Sequence, residues 1–251
     1  MEELEVIGNF GKCIIDDCNN HLHDLKDLEY QFFLSDPPYN EGCAKVIGRG
    51  YNGQREDVKE DYDDLVPEGD YLNWCVKWFI EIERICEKGL FTCGRKHLGW
   101  WNTAFGLDYG AIVYPNASGS TKFAQFKSFE PFVVFGKFTG ALLHSDVIEV
   151  TKLSGFSRLA KERQEKYRLV HPHAKPPKLY SYILEYVRPE SVLDIFLGSG
   201  RSARVCEAMG IRWLGFEKES KYIPDIEHHI KLGIKEHAKI KSKGSFDLWE
   251  K

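Results

Sequence analysis

No run of eighteen apolar residues occurs in the 251-residue chain, so no transmembrane helix is expected. The N-terminal Met1-Glu2-Glu3-Leu4-Glu5 is acidic and lacks the apolar core of a signal peptide, which argues for a cytoplasmic protein. The seven cysteines (Cys13, Cys18, Cys43, Cys75, Cys86, Cys93, Cys206) form no Cys-x-x-Cys pair, and their number is odd. That pattern excludes a zinc ribbon and a disulfide frame and leaves reduced, mostly buried thiols. His228-His229 and His171-x-His173 have no matching second pair, so no metal site is expected. A Gly-Lys-Ser/Thr triplet is also missing, which excludes a P-loop. Internal repeats and low-complexity tracts are absent. An excess of positive charge is absent too: 34 Lys and Arg face 38 Asp and Glu, and a net charge of −4 argues against a general nucleic-acid binder.

What the chain does have is core material. It is 43% hydrophobic and 14% aromatic, enough for one large α/β domain or two small ones. Its charge is unevenly spread. Residues 54–70 hold eight acidic and two basic side chains, whereas 151–178 hold eight basic and two acidic. The basic stretch, with Arg158, Lys161, Arg163, Lys166 and Arg168, suits either a phosphate footprint or a solvated helix face.

Hydrophobic periodicity gives the elements. A strand at 12–15 should continue into a helix through Leu22, Leu25 and Leu28. A second strand covers 31–35. The polar, glycine-bearing stretch 40–69 reads as a long functional loop. Leu72, Cys75, Val76, Phe79, Ile82, Ile85 and Cys86 define an amphipathic helix over 70–88, with Gly89 as its stop. Strands near 90–93, 110–114 and 132–135 surround a helix near 96–105. Trp100-Trp101 suits the core better than a nucleic-acid face. A partly helical basic segment spans 151–170. Then come a helix at 179–187, a strand at 192–196, a helix at 201–209 capped by Gly210, a strand at 213–216 and a final helix from 220 to 239. Strands alternating with helices predict a mostly parallel sheet covered on both faces.

Two constellations carry chemistry. The first is Asp36-Pro37-Pro38-Tyr39, directly after the apolar Gln31-Phe32-Phe33-Leu34-Ser35. In open α/β sheets the C-terminal strand edge is where ligands bind. The two prolines fix φ near −65° and remove two N–H donors, leaving outward carbonyls beside the Asp36 carboxylate. Both are acceptors, suited to the two donors of an exocyclic amino group, and Tyr39 offers a stacking face. The second is Asp194-Ile195-Phe196-Leu197-Gly198-Ser199-Gly200, a strand–turn–helix with Glu217 ending the next strand seventeen residues later. Glycine allows close backbone approach, and a carboxylate at the next strand end accepts ribose hydroxyls, so an adenosine-containing cofactor is expected. Ala203 stands where a dinucleotide fingerprint needs its third glycine, which counts against a nicotinamide-dependent oxidoreductase.

Together these segments resemble the S-adenosylmethionine-dependent DNA amino-methyltransferases, the N6-adenine/N4-cytosine family. The tetrapeptide precedes the glycine turn, as in the permuted β-group. Asp17-Cys18 resembles the family's Gly-Asp-Cys step, with Asp16 in place of the glycine. Glu130-Pro131-Phe132-Val133-Val134-Phe135-Gly136-Lys137 resembles its late catalytic strand. His171-Pro172-His173-Ala174-Lys175-Pro176 matches its His-Pro-x-x-Lys-Pro element. Ile195 and Arg201 depart from the usual proline and threonine.

The resemblance implies a class I, Rossmann-like domain with a mostly parallel seven-stranded sheet and circularly permuted motif order. One domain, 1–251, would hold a catalytic half at about 12–137, a short basic target-recognition segment at about 138–170 and a cofactor half at about 171–240. It implies transfer of methyl from S-adenosylmethionine to adenine N6 in DNA, with cytosine N4 as the alternative and a catalytically silent binding subunit as the more distant one. Asp36, Pro37, Pro38 and Tyr39 would be catalytic, acting on a flipped-out base. Asp17 would sit near the adenine of the cofactor and Lys175 near its carboxylate. Asp194, Phe196, Gly198, Ser199, Gly200 and Glu217 would form the rest of the cofactor site. Arg158, Lys161, Arg163, Lys166 and Arg168 would meet DNA. No metal or membrane partner is implied, and a homodimer is allowed.

Overall fold

A computed structural model describes residues 4–41, 47–49, 55–57, 65–114, 128–138, 142–143, 145–149, 171 and 174–243. Strands β1 (Glu5–Ile7), β2 (Gly11–Ile14) and β3 (Tyr30–Ser35) open the chain, and a separate two-stranded ribbon, β4 (Ile47–Arg49) and β5 (Arg55–Asp57), follows. Next come α1 (Glu68–Ile85), β6 (Cys86–Thr92), α2 (Leu98–Phe105), β7 (Asp108–Val113), β8 (Phe129–Gly136) and β9 (Val147–Glu149). The last part holds α3 (Pro177–Val187), β10 (Ser191–Asp194), α4 (Arg201–Met209), β11 (Arg212–Phe216) and α5 (Ile223–Lys243).

The main sheet runs in the order β1-β2-β11-β10-β3-β6-β8-β7-β9. Strands β2, β11, β10, β3 and β6 are parallel neighbours. Strand β8 inserts antiparallel between β6 and β7. These seven are the expected sheet. The three-residue edge strands β1 and β9 raise the count to nine, β1 folding back on β2 and β9 extending β7. Adjacent at the centre lie β3 and β10, from opposite halves of the chain, with Phe32 beside Val192 and Phe33 beside Leu193. Connections leave this pair in opposite directions, so a crevice opens at its C-terminal end.

Alternating side chains feed two cores. On one face Phe32, Leu34, Leu90 and Val192 meet Leu179, Ile183, Ala203, Val205, Ile226 and Ile230 of α3, α4 and α5. On the other, Phe33, Phe91, Val133 and Leu193 meet Tyr71, Cys75, Trp78, Phe79 and Ile82 of α1. Burial of large side chains supplies roughly 1.5–3 kcal/mol each. Trp101, 1% exposed, belongs to this second core, as its helix position suggests.

Two local expectations are corrected. The helix expected through Leu22, Leu25 and Leu28 is two 3-10 turns, Cys18–Asn20 and Leu22–Asp24. Asp17 caps the first turn by accepting from the Asn19 amide at 3.1 Å, and Arg84 takes the Leu22 and Leu25 carbonyls at 3.0 and 2.7 Å. Those carbonyls then have no need of a continuing helix. Gly89 does not end α1. The helix stops at Ile85 and β6 starts at once, with Gly89 inside it. Its neighbours across the sheet are Phe33 and Phe135, and a Cβ there would lie 2.6 and 2.4 Å from their atoms. The glycine makes room for two phenylalanines. Among the described residues no helix is long and apolar enough to cross a membrane.

Candidate active site

The ends of five parallel strands bring the site together. After β2 comes Asp17, after β11 Glu217, at the end of β10 Asp194, after β3 Asp36 and at the end of β6 Thr92. One hydroxyl joins the two constellations. Ser35 donates to Asp194 Oδ1 at 2.5 Å and accepts from the Phe196 amide at 3.2 Å, so the cofactor turn is fastened to the residue beside Asp36.

In the tetrapeptide, the Pro38 carbonyl faces back toward the Tyr71 hydroxyl at 2.9 Å. Asn40, 2% exposed, takes a left-handed φ of 54°. Its amide group bonds the Val66 carbonyl at 3.0 Å and the Val66 N–H at 2.8 Å, tying the turn to the start of α1. The Asp36 side chain, 21% exposed, is reachable from the crevice. Its Oδ1 accepts from the Tyr39 hydroxyl at 2.7 Å, from the Thr92 hydroxyl and from Lys175 Nζ at 3.0 Å. Its Oδ2 accepts from Lys175 Nζ at 2.8 Å. Burial pushes the Asp36 carboxyl upward, but the Lys175 ammonium and these hydrogen bonds outweigh it and hold the group below its ordinary value.

Lys175, expected near a cofactor carboxylate, is engaged by carboxylates of the chain itself. Its ammonium bridges Asp36 and Glu130, the latter at 3.1 Å, and lies 5.4 Å from the centre of the Tyr39 ring. Glu130 in turn accepts from the Tyr114 hydroxyl at 3.1 Å. Thr92, Glu130 and Tyr114 are site neighbours that sequence reasoning missed. The signal for Glu130 was its place at the head of the Pro-Phe-Val-Val-Phe-Gly strand.

At the second constellation, Gly198 and Gly200 have φ of 56° and 80°, a region that favours glycine. A Cβ at Gly198 would lie 2.9 Å from His171 Nε2. Glu217, 9% exposed, accepts from the Gly198 amide and from the Glu219 amide, each at 2.8 Å. Each carboxylate oxygen keeps a further lone pair for a ligand hydroxyl. Burial, with the nearby Glu219 and Asp194 charges, raises its carboxyl to about 7 despite the two amide bonds. The Phe196 ring lies 5.4 Å from Trp74, forming an aromatic wall. Asp17 accepts from Asn19 and from Lys218 at 3.1 Å.

Two residues expected in the cofactor site, Asp194 and Ser199, are buried and bonded within the turn. Asp194, 4% exposed, is taken up by Ser35 and Ser202, each at 2.5 Å, and by the Phe196 amide at 3.2 Å. It shapes the turn, and burial raises its carboxyl to about 6. Ser199 is 3% exposed, and its carbonyl accepts from His229 Nδ1 at 2.7 Å. That bond explains His229: burial and the Arg201 and Arg204 charges lower its pKa to about 3, so it is a neutral structural donor. Among the described residues no group of three His, Cys, Asp or Glu could hold a metal. The six described cysteines are buried and free, and burial lifts thiols such as Cys93 to about 12, so none is a ready nucleophile. Arg158, Lys161, Arg163, Lys166 and Arg168 lie outside the described residues.

The edge is rich in acid: Asp17, Asp36, Glu130 and Glu217 lie there with two lysines, Lys175 and Lys218. Such a rim repels a pyrophosphate and suits a cationic sulfonium. With the left-handed glycine turn and the Glu217 carboxyl at the next strand end, it fits S-adenosylmethionine.

Comparisons with known proteins agree. Residues 94–228 match the family described as DNA methylase, the N6/N4 methyltransferases. The type II methyltransferase M.HinfI of Haemophilus influenzae is 24% identical over 253 residues, spanning 90% of this chain and 70% of that protein. The cytosine-N4-specific PvuII DNA methyltransferase superposes with a TM-score of 0.64 at 14% identity, over 94% of each chain. The complex of M1.HpyAVI with S-adenosylmethionine superposes with a TM-score of 0.52 at 15% identity, over 87% of this chain and 98% of that one. The two structures speak for the fold.

Proposed function

The chain belongs to the N6/N4 DNA methylase family, the S-adenosylmethionine-dependent DNA amino-methyltransferases, and on that premise we propose that Asp36, Pro37, Pro38 and Tyr39 clamp an adenine amino group for methylation at N6. The observation that carries the reading is the Asp36 carboxylate at the β3 end, ionised, partly exposed and fastened through Ser35 to the cofactor turn.

The cofactor supplies an electrophilic methyl group on a sulfonium, which departs as a neutral thioether. The chain supplies geometry and charge. Asp36 and the Pro37 carbonyl accept the two N–H bonds, drawing the nitrogen lone pair out of conjugation with the ring. Tyr39 stacks on the flipped base. The nitrogen, having formed its new bond to carbon, loses a proton to Asp36 or to water. Acceptors preorganised toward developing positive charge, together with positioning, provide most of the rate. Glu217 takes the ribose hydroxyls, Phe196 and the Gly198–Gly200 backbone line the cofactor, and Asp17 sits toward its adenine. Asp194 and Ser199 hold the turn from below.

The base reading rests on Asp36. In the family resemblance, aspartate at the head of the tetrapeptide goes with adenine N6 and serine with cytosine N4. The basic stretch from Arg158 to Arg168 is the proposed DNA contact, and one sheet running from Glu5 to Phe216 supports a single domain. The buried free cysteines support a reducing, cytoplasmic setting. Asp36→Ala should abolish methyl transfer to DNA while S-adenosylmethionine still binds. Full turnover by that variant would sink the proposal.

A further inference from the structure

We infer that Lys175 is a positioning residue for methyl transfer: its ammonium, anchored by Glu130, fixes the Asp36 carboxylate so that Oδ2 is the atom that receives the substrate amino group. The inference rests on the reading of Asp36 as the amino-group acceptor.

The two carboxylate oxygens are not equivalent. Oδ1 accepts from Thr92, Tyr39 and Lys175, which exhausts its lone pairs. Among the described residues Oδ2 accepts from Lys175 at 2.8 Å, so it keeps room for one more donor. Rotating the carboxylate would break three bonds to Oδ1, so the open oxygen is held in place.

Lys175 is itself fixed at both ends. Arg201 Nη1 donates to its carbonyl at 3.0 Å, and Pro176 caps α3 immediately after it. Arg201 is the residue that departs from the family's usual threonine. At the other end the ammonium spends its donors on Asp36, on Glu130 at 3.1 Å and weakly on the Tyr39 hydroxyl at 3.4 Å. Its side chain is only 11% exposed. A lysine so enclosed has no donor left for a cofactor carboxylate. It also joins the chain's halves, since 139 positions separate it from Asp36.

The charge balance around Asp36 sets the direction of the test. Facing it are Lys175, Tyr39 and Thr92, with Glu130 behind the lysine, Tyr180 of α3 nearby and Asp194 across the sheet. Without the ammonium, burial and the remaining acids would all favour the protonated carboxyl. A protonated Asp36 cannot accept at both oxygens. Activity would then need a higher pH.

The experiment measures methyl transfer to DNA from labelled S-adenosylmethionine between about pH 6 and pH 10, with cofactor affinity measured separately. For Lys175→Met the expected result is a kcat lowered on the order of 100-fold near neutrality and recovering as pH rises, with cofactor affinity within about threefold of wild type. Lys175→Arg, which keeps the charge, should keep the wild-type acidic limb. Glu130→Gln removes the anchor of the ammonium while leaving Asp36 paired and ionised, so it should lower kcat with no recovery as pH rises and with cofactor affinity unchanged, which keeps the test valid if Lys175→Met folds poorly. Two results would overturn the inference: a kcat at the wild-type level near neutrality in both Lys175→Met and Glu130→Gln, or a Lys175→Met defect confined to cofactor affinity. Full turnover by Asp36→Ala would instead remove the reading beneath it.

Discussion

Glu217→Gln offers a quantitative probe of the cofactor site. In the proposed role the carboxylate has two jobs, holding the Gly198 and Glu219 amides at 2.8 Å and keeping one lone pair on each oxygen for a ribose hydroxyl. Glutamine has one acceptor oxygen. Turned toward the buried Gly198 amide, it preserves the turn and places its NH2 group against the Glu219 amide and one ribose hydroxyl. One hydrogen bond to a charged group is lost from the complex, worth about 1.5–3 kcal/mol. That corresponds to S-adenosylmethionine binding about 10- to 150-fold more weakly. The wild-type dependence on pH has a definite sign. Because burial raises the Glu217 carboxyl to about 7, it is largely protonated below that pH and accepts poorly. Affinity should therefore tighten as pH rises through about 7 in the wild type and stay flat in Glu217→Gln. Isothermal titration with the cofactor at several pH values reads both effects, and kcat at saturating cofactor should change little. Equal affinity in the two proteins across this range would refute the assignment of Glu217 to the ribose.

Gly89→Ala should destabilise the fold by about 1–3 kcal/mol, because its Cβ would enter the space of Phe33 and Phe135. A thermal melt should show a loss of roughly 4–8 °C at the middle of that range. An unchanged melt would mean that the phenylalanines yield freely. Neutralising Arg158, Lys161, Arg163, Lys166 and Arg168 together should weaken DNA binding and flatten its dependence on salt, since each phosphate contact contributes about 0.9 to the slope of log K against log salt. A slope that does not move would place the DNA contact elsewhere.

Much of the fold was readable because its cause is local. The apolar spacing of α1, the left-handed glycines at 198, 200 and 210 and the β3 end before Asp36 follow from neighbours in sequence. Misreadings occurred where the cause is distant. Gly89 looked like a helix stop because glycine after an amphipathic run usually is one, yet its reason is two phenylalanines on flanking strands. Leucine spacing after β2 suggested a helix, but Asp17 and the remote Arg84 satisfy the backbone in tighter turns. The Asp-Pro-Pro-Tyr tetrapeptide was visible as a motif, while the pairing of its aspartate with Thr92 and Lys175 was not. Thr92 and Lys175 lie 56 and 139 positions from Asp36, and only the sheet brings them together. Asp194 shows the converse: its motif position marks the glycine turn, while the bonds that bury it, to Ser35, Ser202 and the Phe196 amide, come from segments the motif does not show.

Nucleoside composition of DNA after incubation with the protein and S-adenosylmethionine tests the central claim most directly. Digestion to nucleosides followed by mass spectrometry should show N6-methyladenine, formed by the wild type and missing with Asp36→Ala. N4-methylcytosine in its place would contradict the choice of base, and methylated product from Asp36→Ala would contradict the role given to the Asp36 carboxylate.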